Sequence, residues 1–315
     1  MIQAEVLIVG GGPAGSACAW RLKQANVDCL ILDQHTFPRS KPCAGWITPD
    51  VLKDLSFTAK DYQYGLTTFH SFRVSFRCLA FKLPTLQYAV RRCEFDYWML
   101  QRSGAAFQQH KVKSIERFTD GYVVDGMFST RYLVGAGGTY CPVYRSIFKT
   151  ISPKSRQSLI VAQVEEFPYA YTDERCWLWF FEDRLPGYSW YVPKANGYVN
   201  VGVGGKAERF NANDDSLKNH WSRLVEKLDR LGLVRGHDYR PKAHSYYVRQ
   251  DLPEIRKGNA FLVGDSAGLA TIDMGEGISP AIKSGLKVAE AILKGNRYNL
   301  NSISRYSMRS ILNPT

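Results

Sequence analysis

The residues best equipped for chemistry in this 315-residue chain are one cysteine, two aspartates and two sets of glycines. Gly10, Gly12 and Gly15 in "VGGGPAG" fit G-x-G-x-x-G, between a run that reads as a strand and one that reads as a helix. Glycines so spaced let the backbone approach a pyrophosphate, and the helix amino terminus turns unpaired N–H groups towards its charge. Asp33 closes the next apolar run, where a carboxylate accepts hydrogen bonds from adenosine ribose hydroxyls. Near the other end, "FLVGDSAG" sets Asp265 between Gly264 and Gly268, a carboxylate able to hold the polyol of a flavin's ribityl chain. "GEGI", Gly275 to Ile278, then opens a helix whose N–H groups suit the flavin N1 and C2 carbonyl, where negative charge collects on reduction. Cys43 in "KPCAGWITP" is a lone thiol between a proline and an Ala-Gly pair, just beyond the nucleotide-binding pattern.

These groups need a scaffold, and the periodicities predict one. "EVLIVG", "PAGSACAWRLKQAN" and "VDCLILD" read as strand, helix and strand. "FHSFRVSF", "LAFKL" and "LQYAV" read as short antiparallel strands, and "CEFDYWMLQRSG" as a helix with Phe95, Trp98 and Met99 on one face. "GYVVDG" and "RYLVGAGG" predict a hairpin strand and a buried strand. "CWLWFF", "GYSWYVP" and "YVNVGVGG" predict an antiparallel meander, with Asn-Gly as the second turn. Leu217, Trp221, Leu224, Leu228 and Leu231 give an amphipathic helix with acidic capping residues (Asp214, Asp215) before it and Gly232 after it. "NAFLVGDSAGLA" and "ISPAIKSGLKVAEAIL" supply a last strand and helix. The fold class expected is α/β: a Rossmann-like nucleotide-binding domain (1–68, 87–150 and 242–315) with an inserted antiparallel β-sheet substrate domain of α+β type (69–86 and 151–241).

Composition excludes other classes. Hydrophobic residues at 45% and aromatics at 13% exclude a disordered tail. No uninterrupted apolar run is long enough to span a bilayer. A strand begins almost at Met1 and leaves no room for a signal peptide, so a cytoplasmic location is expected. The seven cysteines are widely spaced without CxxC or zinc spacing, which points to no metal and to reduced thiols. The net charge of +12 is spread along the chain with no nucleic-acid-binding motif, so it is read as a solvated basic surface, with peripheral membrane contact as the other outlet for it. The histidines are isolated and read as structural or surface residues.

Taken together, the amino-terminal glycine unit, the Arg-x-x-Phe-Asp helix start at Arg92, Phe95 and Asp96, and "GDSAG…GEGI" resemble p-hydroxybenzoate hydroxylase-type flavoproteins. Within that group the chain is most similar to the geranylgeranyl reductase family. "KPCAGWI" resembles its Pro-Cys-(Gly/Ala)-Gly segment, "GYSWYVPK" its Tyr-x-Trp-x-(Phe/Val)-Pro motif, and "NVGVGG" the strand that follows. The likeness runs from Met1 to Gly295. It implies FAD as cofactor, with contacts from Ala14, Asp33, Cys43, Ala44, Arg92, Val112, Asp265, Gly277 and Ile278. The superfamily's Gly-Ala-Asp-Gly is replaced here by Gly135–Gly138 "GAGG", and the part after Asp265 is short beside that of full-length prenyl reductases. Both departures weigh against a straightforward copy of the family's NADPH use and long-chain substrate.

The resemblance gives Cys43 three readings: a proton donor completing alkene reduction, a thiol partner to the flavin, or a small residue where backbone passes the ring. Cys141 in "GTYCPVYR" is a second thiol to consider beside it. If "GYSWYVP" is a strand, Tyr188, Trp190 and Val192 share a face, either a surface for a flat or chain-like apolar substrate or the domain's own core; Trp190 is favoured for substrate because the family motif keeps it. The function implied is an FAD-dependent oxidoreductase that reduces carbon–carbon double bonds of a small apolar, prenyl-like substrate. NADPH, reduced ferredoxin or another electron-donor protein would be a transient donor. An oxygen-using hydroxylase or halogenase, and a non-catalytic electron carrier or redox sensor, are the alternatives.

Overall fold

A computed structural model describes residues 1–77, 79–212 and 216–312. Cys78 and the capping expectation at Asp214 and Asp215 lie outside the described residues. β1 (Ile2–Val9), α1 (Pro13–Gln24) and β2 (Cys29–Asp33) form the βαβ unit. Val6, Leu7 and Ile8 have no exposed surface. Both faces of the strand are covered, and this is why the run is apolar throughout rather than alternating. Along the chain follow β3 (Trp46–Ile47), α2 (Pro49–Asp54), β4 (Thr67–Phe76) and β5 (Leu79–Ala89), then α3 (Arg92–Arg102), β6 (Ala106–Gln109), β7 (Ile115–Phe118), β8 (Gly121–Val124) and β9 (Phe128–Gly135). Next come β10 (Leu159–Pro168), β11 (Cys176–Phe180), β12 (Gly187–Lys194), β13 (Tyr198–Lys206), α4 (Ala207–Ala212), α5 (Leu217–Arg230) and β14 (Lys242–Tyr247). β15 (Arg256–Lys257), β16 (Ala260–Leu262), α6 (Ile278–Lys294) and α7 (Met308–Leu312) complete the described chain.

The chain divides into two compact units. The first comprises Met1–Arg39, Cys93–Ser155 and Tyr246–Ser307; the second comprises Ser40–Arg92, Arg156–Ser245 and the segment from Met308 onward. Both units are built from separated segments, and their boundaries differ from those expected. Residues 40–68 and 87–92, expected with the nucleotide-binding part, pack in the second unit, because β3 pairs with the end of β5 (Trp46 beside Ala89) and not with the first sheet. The carboxy-terminal segment does the same: Thr85 Oγ1 donates to the Ile311 carbonyl at 2.8 Å and Gln87 Nε2 to that of Ser310 at 3.0 Å. Residues 151–155, expected with the substrate part, fall in the first unit and 242–245 in the second.

In the first unit the sheet runs β15-β16-β9-β1-β2-β6, with β7 and β8 attached to β9. β16, β9, β1, β2 and β6 are parallel. β1 therefore lies between the strand that follows it and one from much later in the chain. Such a switch in strand order opens a crevice at the carboxyl ends of the strands. α1 and α6 cross closely there, since a Cβ on Gly285 would lie 2.1 Å from the Ala14 carbonyl oxygen.

In the second unit the sheet runs β14-β10-β13-β12-β11-β4-β5-β3. The meander β11-β12-β13 is present, closed by Asn196 and Gly197 at φ +60° and +70°, values that suit an Asn-Gly hairpin turn. The three short runs expected between Phe69 and Val90 are two long strands, β4 and β5, with Pro84 inside β5 opposite Ser71, where the ladder shifts register. One face of the sheet is covered by α5 through Trp221, Leu224 and Leu228, against Tyr191, Val199, Val201 and Val203. Leu231, expected on that face, is the C-cap and is exposed. Ser216 caps α5, its hydroxyl accepting from the Asn219 N–H at 3.1 Å.

Candidate functional site

The first unit gathers most of the residues singled out for the cofactor. The turn after β1 is fixed by Gly10, whose φ of +117° and whose missing Cβ, which would lie 2.3 Å from the Ala136 carbonyl oxygen, both demand glycine. Gly15 lets α1 sit directly on this turn, since a Cβ there would be 2.0 Å from the Gly10 oxygen. Gly12 is different. It has φ −76°, and the one group within reach of a Cβ is Arg39 Nη2 at 3.4 Å. The fold does not need glycine at position 12, so the space it leaves open suits a ligand's approach.

Asp33 is buried at the end of β2. Its Oδ2 accepts from the Gly11 N–H at 2.8 Å and its Oδ1 from the His35 N–H at 3.0 Å. An ionised carboxylate can accept about four hydrogen bonds, so this one ties the glycine turn in place and keeps capacity for ribose hydroxyls. Val112 is buried shortly after β6, the strand that pairs with β2 and sets Gln109 beside Asp33.

The second glycine corner meets the first. Gly264, at φ +57°, would place a Cβ 3.1 Å from that of Ala14 in α1 and 3.2 Å from that of Ala281 in α6. Its N–H donates to Ser284 Oγ at 2.9 Å. Asp265 therefore stands beside the start of α1, and its Oδ1 is 3.4 Å from the position of a Cβ on Gly277, the N-cap of α6. Gly268, at φ +63°, closes the corner by donating its N–H to the Asp265 carbonyl at 3.1 Å. The N-cap residues Gly12 of α1 and Gly277 of α6, which begins at Ile278, offer no side-chain cap, and neither helix carries an acid in its first turn; just before α6, however, the Glu276 carboxyl already takes the Ser279 N–H. The amino terminus of α1 thus suits an anionic partner, and α6 keeps only the N–H groups that Glu276 leaves free.

Three residues here were not marked by the sequence. Arg39 lies beside Gly12, with its Nη2 3.5 Å from the fully buried Asp96, and its Nε is buried without a hydrogen-bond partner. An unsatisfied guanidinium nitrogen next to an open glycine fits a pyrophosphate oxygen. Lys154 donates from Nζ to the Asp265 carbonyl at 3.1 Å and lies 4.2 Å from the Tyr144 ring centroid; burial pulls its pKa down to about 8. Glu276 is buried at the foot of α6 and accepts from the Ser279 N–H at 2.8 Å, and burial pushes its carboxyl up to about 7. A lone arginine, lysine or glutamate carries no periodic signal, so only the packed structure reveals them.

The Glu276 shift has a pH consequence. Its folded pKa is above the ordinary glutamate value, so the folded state holds an extra proton between the two. The stability this confers is complete at the lower end of that window and is lost as pH rises through about 7. We expect flavin-free wild type to lose roughly 2–3 kcal/mol more stability than Glu276→Gln between about pH 5 and pH 8 in urea titrations. Parallel pH profiles for the two proteins would refute this.

The second unit holds Cys43, Ala44, Arg92, Tyr188 and Trp190. Arg92 opens α3 and is buried. The Cys43 loop is held to the sheet by its own backbone: Asn200 Nδ2 donates to the Cys43 carbonyl at 2.9 Å, the Gly45 N–H points at Cys43 Sγ at 3.3 Å, and the Val90 N–H donates to the Gly45 carbonyl at 2.9 Å. Asn200 Oδ1 in turn accepts from Trp190 Nε1 at 2.9 Å. Tyr188, Trp190 and Val192 lie on the side of the sheet away from α5, whose core takes Tyr191 of the same strand. They line a small apolar pocket with Ala44, Trp46, Phe69, Phe72, Cys176 and Leu178. Trp190 lies flat on Gly202, where a Cβ would be 2.2 Å from its ring. Cys43 and Cys141 are both free thiols; Cys141 is wholly buried in the first unit's core, and burial pushes its thiol up. Among the described residues no cluster could hold a metal ion, and no helix is long and apolar enough to cross a membrane.

Comparison with known proteins shows what the chain is similar to. A sequence model of an NAD(P)-binding Rossmann-like domain matches residues 8–80. The chain is 30% identical over 335 residues to an uncharacterized protein of Methanosarcina barkeri, covering 99% of this chain and 81% of that one. It is 28% identical to a menaquinone reductase of Mycobacterium tuberculosis (92% and 76% covered) and 25% identical to a digeranylgeranylglycerophospholipid reductase of Methanosphaera stadtmanae (97% and 82%). Among solved structures, a geranylgeranyl bacteriochlorophyll reductase-like protein of Thermoplasma acidophilum superposes with a TM-score of 0.79 at 21% identity, covering 94% of this chain and 80% of that one. At that identity the superposition establishes the shared fold.

Proposed function

This chain belongs to the geranylgeranyl reductase family of FAD-dependent oxidoreductases, and we propose that it saturates carbon–carbon double bonds of an apolar, prenyl-like chain. The observation that carries this reading is the pocket on the second sheet. Its lining, from Ala44 to Val192, contains no charged side chain, so an ionic group would be desolvated there without a partner; the pocket itself is small, and what supports the reading is the apolar character of this face. The name of the Methanosphaera relative includes geranylgeranyl groups, which are apolar chains of this class.

FAD, when bound and reduced, supplies the hydride. In the first unit, Gly12, Arg39 and the start of α1 suit its pyrophosphate, Asp33 its ribose, and Asp265 with the start of α6 the flavin end. In the second unit, Trp190 and Tyr188 hold the substrate chain. Saturating a double bond also needs one proton at the carbon that does not receive hydride. Cys43, next to the pocket residue Ala44, is the donor in this proposal. The Gly45 N–H at 3.3 Å is placed to meet the negative charge its sulfur takes up on losing the proton, and solvent restores the thiol. NADPH or reduced ferredoxin would re-reduce the cofactor.

The test is anaerobic. Photoreduced holoprotein mixed with a polyprenyl compound should recover oxidised-flavin absorbance, and the product should gain two hydrogens per double bond. Cys43→Ser should slow that reoxidation by at least about a hundredfold with unchanged flavin content. Reduced flavin that ignores the polyprenyl compound and is consumed only by oxygen would overturn the reductase reading; an unchanged rate in Cys43→Ser would remove that residue as proton donor.

A further inference from the structure

The pocket face of the second sheet does not stop at the pocket. On the β4–β5 hairpin, Phe72 pairs with Leu83, Val74 with Phe81 and Phe76 with Leu79, and paired residues project to the same side. β11 continues that side, with Cys176 beside Phe72, Leu178 beside Val74 and Phe180 beside Phe76. β12 adds Trp190 opposite Leu178 and Tyr188 opposite Phe180. One apolar strip thus leads from the buried pocket to the hairpin's free end. There it lies open: Leu79 is 74% exposed, Phe81 46%, Phe76 43%, and Phe181, edge-on to Phe76 at 5.6 Å, 43%. Large apolar side chains contiguous at a surface mark a contact site.

The charge around the strip is mostly of one sign. Arg73 pairs with Lys82 on the opposite side of the same strands, and Arg77 follows Phe76, with Arg77 and Lys82 exposed. In the neighbouring loop Arg184 and Asp183 are exposed, while Glu182 is already engaged by Lys227 and Ser75. Two copies of the chain apposed on this face would bring these cations together. An anionic bilayer brings complementary charge, and a hairpin with apolar residues on one side and cations around it suits the zone between headgroups and acyl chains.

We propose that the end of the β4–β5 hairpin docks on an anionic lipid bilayer, with Phe76, Leu79, Phe81 and Phe181 entering the interface and Arg77 and Lys82 against the headgroups. If the reductase reading holds, the strip also lets a prenyl chain pass from the leaflet to the pocket without crossing water; the docking itself is independent of that reading.

The experiment is co-sedimentation of the flavin-loaded full chain with vesicles of phosphatidylcholine, with and without phosphatidylglycerol. Wild type should bind the anionic vesicles, and less so in high salt. Leu79→Ser/Phe81→Ser should bind them at least about tenfold more weakly, with flavin absorbance and far-ultraviolet circular dichroism unchanged. Arg77→Glu/Lys82→Glu should lose the preference for anionic over neutral vesicles. Wild-type binding in the Leu79→Ser/Phe81→Ser protein would overturn the proposal. So would a wild-type dimer that this variant dissociates, with no vesicle binding, and that result would assign the patch to a second copy. None of these readouts depends on reductase activity.

Discussion

Glu166→Ala is expected to destabilise the protein by about 3–5 kcal/mol, the cost of stranding a buried charge. Lys194 has no exposed surface. Its ammonium lies 3.3 Å from Glu166 Oε2 and donates to the Val90 carbonyl at 2.5 Å. Glu166 also accepts from Arg91 Nε at 3.1 Å and from Asn200 Nδ2 at 3.3 Å. Removing the carboxylate leaves Lys194 with a single neutral acceptor in a place water does not reach. Replacing both charges should restore much of the loss, because a buried ion pair and an apolar pair of similar volume are often close in energy. Urea unfolding of Glu166→Ala and of Glu166→Ala/Lys194→Met checks this: a loss below about 1 kcal/mol in the single variant would show that Lys194 does not depend on Glu166.

The same substitution reaches the candidate thiol. A Cβ on Gly45 would lie 2.3 Å from Lys194 Nζ and 2.1 Å from the Val90 oxygen, so the Cys43–Gly45 loop rests directly on this ion pair. Asn200 connects Glu166 to the Cys43 carbonyl and to the Trp190 indole. Losing Glu166 is therefore expected to loosen the thiol and the pocket wall together.

The second large effect separates two glycines of one motif. Gly15→Ala should cost about 1–3 kcal/mol and abolish flavin retention, because its Cβ collides with the Gly10 oxygen and Gly10 cannot yield. Gly10 is itself wedged against Ala136, and Gly15 has Ile8 Cγ2 at 3.1 Å on its other side. Gly12→Ala should leave the flavin-free protein within about 0.5 kcal/mol of wild type and still weaken FAD binding, since the added methyl occupies only ligand space. Thermal unfolding of the flavin-free proteins and flavin titration by fluorescence quenching give both quantities. Equal destabilisation by the two substitutions would contradict the distinct roles assigned here.

Some of this was legible in residue order because its cause is local. The glycine turn before α1 follows from Gly10 and Gly15, the β12–β13 hairpin from Asn196-Gly197, and α5 from the spacing of Trp221, Leu224 and Leu228. Other features arise between residues far apart. Arg39 gains meaning only when the chain brings it beside Gly12. The domain boundaries expected near residue 68 and after 241 failed for the same reason: β3 has only two residues and α7 only five, too short for a periodic signal, and their unit is decided by β5, to which both attach.

By itself, then, residue order determined the nucleotide-binding βαβ unit, the aromatic face of β12 and the family likeness, since dihedral preferences and side-chain periodicity act over a few residues. Only the tertiary structure decided that Gly264 meets Ala14, that Lys194 is buried against Glu166 beneath the Cys43 loop, and that the pocket face runs out to Leu79. Those depend on strand register and on which distant segments exclude water from each other, and neither is written in any short stretch of the chain.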